Sequence, residues 1–104
     1  MKLLKLADEV YEYYRGNVKG NHNTSFDLAR RKITRNVHLA KRLHQNNLFN
    51  RLKGIKKYQY GNLHIIVKRD TVIHIVNYKG TTLHNDWNFD KKKYKQLSVE
   101  LGIY

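Results

Sequence analysis

The stretch IKKYQYGNLHIIVKRDTVIHIVNY (55–78) decides the fold. Its apolar residues recur with a period of two and are rich in β-branched and aromatic types, the signature of strands on a pleated sheet. Gly61-Asn62 and Arg69-Asp70 interrupt it, so it divides into strands at 55–60, 63–68 and 71–78 joined as an antiparallel meander. A two-residue turn at 69–70 sets Leu63, Ile65, Val67, Val72, His74 and Val76 on one face. His64, Ile66, Ile73, Ile75 and Asn77 then share the other. Both faces are substantially apolar, which predicts a central hairpin covered over much of both sides.

Upstream the period changes to that of helices. Leu3, Leu4, Ala7, Val10, Tyr11 and Tyr14 fall on one face of a helix over 2–15, and Gly16 ends it. The loop 16–23 leads to an N-cap at Thr24 or Ser25, with Asp27 near the positive helix start. A second helix is expected over 25–45. Phe26, Ala29, Ile33, Val37 and Ala40 form its core stripe, and Arg31, Arg35, His38 and Arg42 stack on the opposite face. Residues 46–54 read as a short extra helical turn with Leu48, Phe49 and Leu52 inward. Downstream, a last helix is expected over 89–101, capped by Asn88 or Asp90, with Tyr94, Leu97 and Leu101 on its apolar side. The Lys91-Lys92-Lys93 run at its start opposes the macrodipole. The expected architecture is therefore α+β: two N-terminal helices, a three-stranded antiparallel meander and a C-terminal helix, in one domain spanning 1–104.

Composition narrows the chemistry. The 104 residues contain no cysteine, which removes disulfides, thiolate metal sites and a cysteine nucleophile. No stretch approaches the length of a membrane span, and Asp8 and Glu9 cut short any secretory apolar run, so a cytoplasmic protein without membrane attachment is expected. The net charge is +13, from 21 Lys and Arg against 8 Asp and Glu. Between Asp27 and Asp70 there is no acid at all, while twelve basic residues fall there. A surplus confined to one block points to a polyanionic partner more than a uniform excess would.

The acids that remain are scattered, H-E-x-x-H and EF-hand patterns are absent, and neither GxxxxGK[ST] nor GxGxxG occurs. No cofactor and no metal are expected. Chemistry on a phosphodiester would then need histidines as acid and base, with cations to stabilise the crowded phosphorus centre. His64, His74 and His84, with Lys68, Arg69, Tyr78 and Lys79, are the strand-borne candidates. His74, on an apolar face, is more often a hydrogen-bonded core histidine, and Tyr58, Tyr60 and Tyr78 are more often sheet packing than base-stacking platforms.

The segment VHLAKRLHQNNLFNRLKGIKKYQYGNLHIIVKRDTVIHIVNYKG (37–80) resembles the RelE-type and barnase-like small ribonucleases. The resemblance lies in basic helices followed by a compact antiparallel sheet with scattered His, Lys, Arg and Tyr. It implies metal-independent RNA cleavage of toxin type.

Three functions follow as expectations. The leading one is nucleic-acid binding through phosphate contacts from Arg31, Arg35, His38, Arg42, Lys56, Lys57 and Arg69. RNA or single strands are favoured over duplex DNA because no recognition helix in a helix-turn-helix frame is visible. The second is a metal-independent endoribonuclease using His64, His74, Lys68 and Tyr78. The third is a small cationic protein that binds and inhibits an acidic protein partner. The chain would act as a monomer or a homodimer.

Overall fold

The computed structural model describes residues 2–18, 20–43, 53–78 and 90–103. The elements run β1 (Lys5–Leu6), α1 (Asp8–Asn17), α2 (Phe26–Leu39), β2 (Lys41–Leu43), β3 (Ile55–Tyr60), β4 (Leu63–Lys68), β5 (Thr71–Asn77) and α3 (Lys91–Glu100). The fold is α+β, and the sheet is five-stranded and mixed, in the order β1-β5-β4-β3-β2. The expected meander is present as β3, β4 and β5, but it is extended by a strand on each side. β1 pairs with β5 in parallel, and β2 pairs with β3 antiparallel.

Both extra strands lie within the helices that periodicity predicts, and both are decided by partners distant in sequence. The expected helix 2–15 begins only at Asp8, with Asp8 and Glu9 in its positively polarised first turn. Before it, Lys5 N donates to Asp70 O at 2.8 Å and Ala7 N donates to Val72 O at 3.1 Å, the parallel ladder. The backbone of Leu4 is held from α2, where Thr34 Oγ1 accepts its N–H and Arg30 Nε donates to its carbonyl. The second helix starts where expected, with the Ser25 side chain accepting from Leu28 N. It stops at Leu39 rather than 45. Lys41, Arg42 and Leu43 instead pair with Gln59, Tyr58 and Lys57. The expected turn of helix at 46–54 falls mainly outside the described residues.

α1 and α2 cover one face of the sheet. Leu6, Val10, Tyr14, Ala29, Ile33 and Val37 pack there against Leu63, Ile65, Val67, Val72 and Ile75 as one core. α3 packs on α2, burying Leu97 and Leu101. Its first turn is capped by Asp90, whose carboxylate accepts from Lys92 N and Lys93 N. This offsets the unfavourable lysine run. Lys93 Nζ also reaches the His38 carbonyl at 3.0 Å, placing a cation at the negative end of α2.

Candidate nucleic-acid interface on the open sheet face

The site rests on one irregularity. The β4–β5 ladder shifts register between Ile66 and Val67, so that Val67 faces Val72 while Ile66 faces His74. Ile73 is the extra residue of a β-bulge. A regular hairpin would put His74 beside Ile65 and Val67 in the core. The bulge instead turns Ile75 inward and His74 outward, where it is exposed. His64 and His74, expected on opposite faces, thus lie on the same one as diagonal cross-strand neighbours, a relation that separates Cα atoms by about 7–8 Å. The expected core role for His74 is overturned by this one-residue slip. Nothing in TVIHIVN (71–77) announces it, since no glycine marks the bulge.

The face away from α1 and α2, open among the described residues, can be read in rows across the strands. One row is Leu43, Lys57, Ile66 and His74; the next is Lys41, Gln59, His64 and Val76; a third is Ile55, Lys68, Thr71 and Lys5. Lys41, Lys57, Lys68 and His74 are exposed, and His64, Ile66 and Val76 are half-buried. Tyr78, just past β5, is exposed and meets the His64 ring edge-on, with centroids 4.7 Å apart. A cavity of about 180 Å³ opens among Lys57, His64, Ile66, His74, Val76 and Tyr78. The Nε2 atom of His64 is buried, so that edge of its ring is turned away from solvent, while His74 meets solvent.

The expected catalytic set is therefore gathered in part. His64, His74 and Tyr78 share the cavity, and Lys68 lies on the same face one row beyond it. Lys79 and His84 fall outside the described residues. Strands β2 to β5 carry no Asp or Glu, so the cations here have no carboxylate on their own strands. Among the described residues, no three His, Asp or Glu side chains come together as a metal site would require.

The expected basic stripe on the second helix is not assembled. Arg42 stands on β2, not on the helix. Arg35 is buried, with its guanidinium 4.1 Å from the Tyr94 ring centroid and Nη1 donating to Ser98 Oγ. Arg31 Nε bonds Asp27, and its Nη1 donates to the Leu101 carbonyl. The arginine face of α2 is the seat of α3. His38 is exposed at the end of α2, and burial of its surroundings, then Lys93, hold its pKa below the ordinary histidine value. Lys56 lies on the helix-facing side of the sheet, in register with Val67, though its side chain is exposed. Lys41 and Gln59 also belong to the open face, and only the pairing of β2 with β3 brings Lys41 there, which local sequence does not reveal.

No solved structure matches the chain. It is 42% identical over 105 residues to the SPbeta prophage-derived uncharacterized protein YorE of Bacillus subtilis (strain 168), covering 99% of this chain and 85% of that one. The YorE family profile matches residues 4–100. With the match running from before β1 to the end of α3, the chain belongs to the YorE family.

Proposed function

We propose that this protein binds single-stranded nucleic acid, RNA foremost, on the open face of its sheet. The observation that carries the reading is the sheet face, built from strands β2 to β5 that carry no Asp or Glu, on which Lys57 and Lys68 flank His64, His74 and Tyr78. Phosphates pair with the lysines, whose contribution is electrostatic and falls with salt. Bases find aromatic and imidazole rings next to Ile66 and Val76, a sequence-tolerant stacking surface. A duplex would present its bases stacked inside, so this surface suits an unpaired strand better.

The test is fluorescence anisotropy of a labelled oligouridylate titrated with protein over a series of KCl concentrations. Steep salt dependence is expected, with affinity reduced at least tenfold in a Lys57→Glu, Lys68→Glu double variant that still folds. Binding indifferent to both salt and charge reversal would sink the reading. Recovery of an acidic protein partner that survives nuclease treatment, without oligonucleotide affinity, would replace it with the inhibitor function.

A second reading is favoured by the cavity itself, which brings His74 beside His64, Tyr78 and Lys57. His74 is accessible, and its imidazole can accept and donate a proton, as proton transfer during RNA cleavage requires. Metal-independent cleavage of labelled RNA in EDTA, lost in His74→Ala, would establish this activity. Intact RNA after prolonged incubation across a broad panel would remove it and leave binding alone.

A further inference from the structure

The tip of the β4–β5 hairpin holds a second feature of the same surface. Arg69 occupies the left-handed region, with φ 55°, and among the described residues no other non-glycine does. That conformation is disfavoured for a side chain bearing Cβ, and glycine or asparagine is the usual occupant of such a turn position. The turn is anchored on two sides: Arg69 N donates to Gly54 O at 3.0 Å, and Lys5 N donates to Asp70 O at 2.8 Å. Three chain segments thus meet at one end of the sheet. An open cleft of about 460 Å³ lies there, lined by Lys5, Lys68, Arg69, Asp70, Thr71 and Ile73.

The cleft is cationic in spite of Asp70. Its carboxylate accepts from Lys2 Nζ at 2.8 Å, and this bond, then the Lys2 charge, holds its pKa below the ordinary carboxylate value. Asp70 is thereby paired with a lysine outside the cleft lining, leaving Lys5, Lys68 and Arg69 as the surplus charge. Lys68 and Thr71 also belong to the open-face row nearest the tip, so the cleft continues the proposed binding surface.

We propose that this cleft is a phosphate site, and that Arg69 grips a backbone phosphodiester of the strand lying on the open face. The proposal rests on the nucleic-acid reading and adds to it a fixed anchoring point. A guanidinium offers a planar fork of donors matched to two phosphate oxygens, and Lys5 and Lys68 supply point charges on either side. An arginine held where glycine would fit better keeps a group useful for binding at a position the backbone alone would fill otherwise.

The informative substitution is Arg69→Gly, because it removes the guanidinium and relieves the turn at once. The variant should unfold at the same urea concentration as the parent or a higher one. Its affinity for the labelled oligouridylate should fall about tenfold, and the slope of log K against log salt should shrink by about 0.7, the value for one lost phosphate contact on a single strand. Arg69→Lys should restore the slope. In parallel, inorganic phosphate titrated into the parent should shift the amide resonances of Arg69, Asp70 and Thr71. An Arg69→Gly variant with unchanged affinity and slope, when Lys57→Glu weakens binding, overturns the cleft and leaves the nucleic-acid reading standing. Phosphate shifts at the tip in a protein that binds no oligonucleotide overturn the nucleic-acid reading and keep the anion site. Absence of both effects removes the two together.

Discussion

The Arg35 guanidinium carbon lies 4.1 Å from the centre of the Tyr94 ring, which ties α2 to α3 through a buried cation that none of the described ion pairs includes. Tyr94 offers its negative face and Ser98 Oγ accepts from Nη1, while the buried Nε has no hydrogen-bond partner among the described residues. Ser98 Oγ in turn donates to the Tyr94 carbonyl, closing a small network on one turn of α3. The arrangement explains how Arg35 on this face of α2 does without an acidic partner, while Arg31 has Asp27.

Truncating this contact should therefore cost stability before it costs affinity. Arg35→Ala is expected to lower the free energy of unfolding by about 2–3 kcal/mol, from lost packing, stacking and a charged hydrogen bond. A double-mutant cycle with Tyr94→Leu, followed by urea denaturation, should give a coupling of about 1 kcal/mol or more. Strictly additive effects would show that the ring does not hold the guanidinium. Charge reversal at Arg35 is for the same reason a poor probe of nucleic-acid contact.

Gly102 closes the other end of the same junction. It ends α3 at φ 68°, where Gly102 N bonds Val99 O and Ile103 N bonds Ser98 O, a left-handed helix stop. A Cβ there would sit 2.5 Å from Arg31 Nη1, the atom that donates to the Leu101 carbonyl. Gly102→Ala should thus cost about 1–2 kcal/mol, from strain and from displacing Arg31. Faster amide exchange confined to residues of α3 would be the signature. Unchanged exchange throughout α3 would contradict it.

Tyr14 makes alkaline stability a readout of the core. It is 3% exposed, and burial pushes its pKa from 10.0 up to about 12, against a smaller opposing effect of Arg35. The neutral phenol is favoured in the folded state, so the unfolded chain loses its proton first. Stability is then full below about pH 10 and declines as pH rises toward 12, by up to about 3 kcal/mol. Tyr60 shifts in the same direction, again mainly through burial. Urea midpoints measured from pH 9 to 11.5 should fall more steeply for the parent than for Tyr14→Phe. Parallel curves would refute the assignment, because lysine titration affects both proteins alike.

How much of this was legible can be traced residue by residue. Gly61-Asn62 and Arg69-Asp70 mark their turns in the sequence, and β3 and β4 run over 55–60 and 63–68 as the period-two pattern requires. Ser25 and Asp90, each one of two cap candidates the sequence offers, start α2 and α3, because a cap is a local hydrogen bond. The candidate site was less legible. His64, His74, Lys57 and Tyr78 stand out by type, yet their meeting on one face depends on the bulge at Ile73. A regular two-residue turn leaves one register, and only packing of Ile75 into the core reveals the other.

The amino-acid sequence alone determined the α+β character, the central hairpin, the cap candidates of α2 and α3 and the acid-free block from 28 to 69, all of which are properties of neighbours along the chain. Tertiary structure decided that residues 5–6 and 41–43 are strands, that Arg31 and Arg35 serve a helix junction, and that His74 faces outward. The physical reason is common to all three. Short strands, buried cations and bulges are stabilised by partners far away in sequence, such as Asp70 for Lys5 or Tyr94 for Arg35, and no local periodicity records those partners.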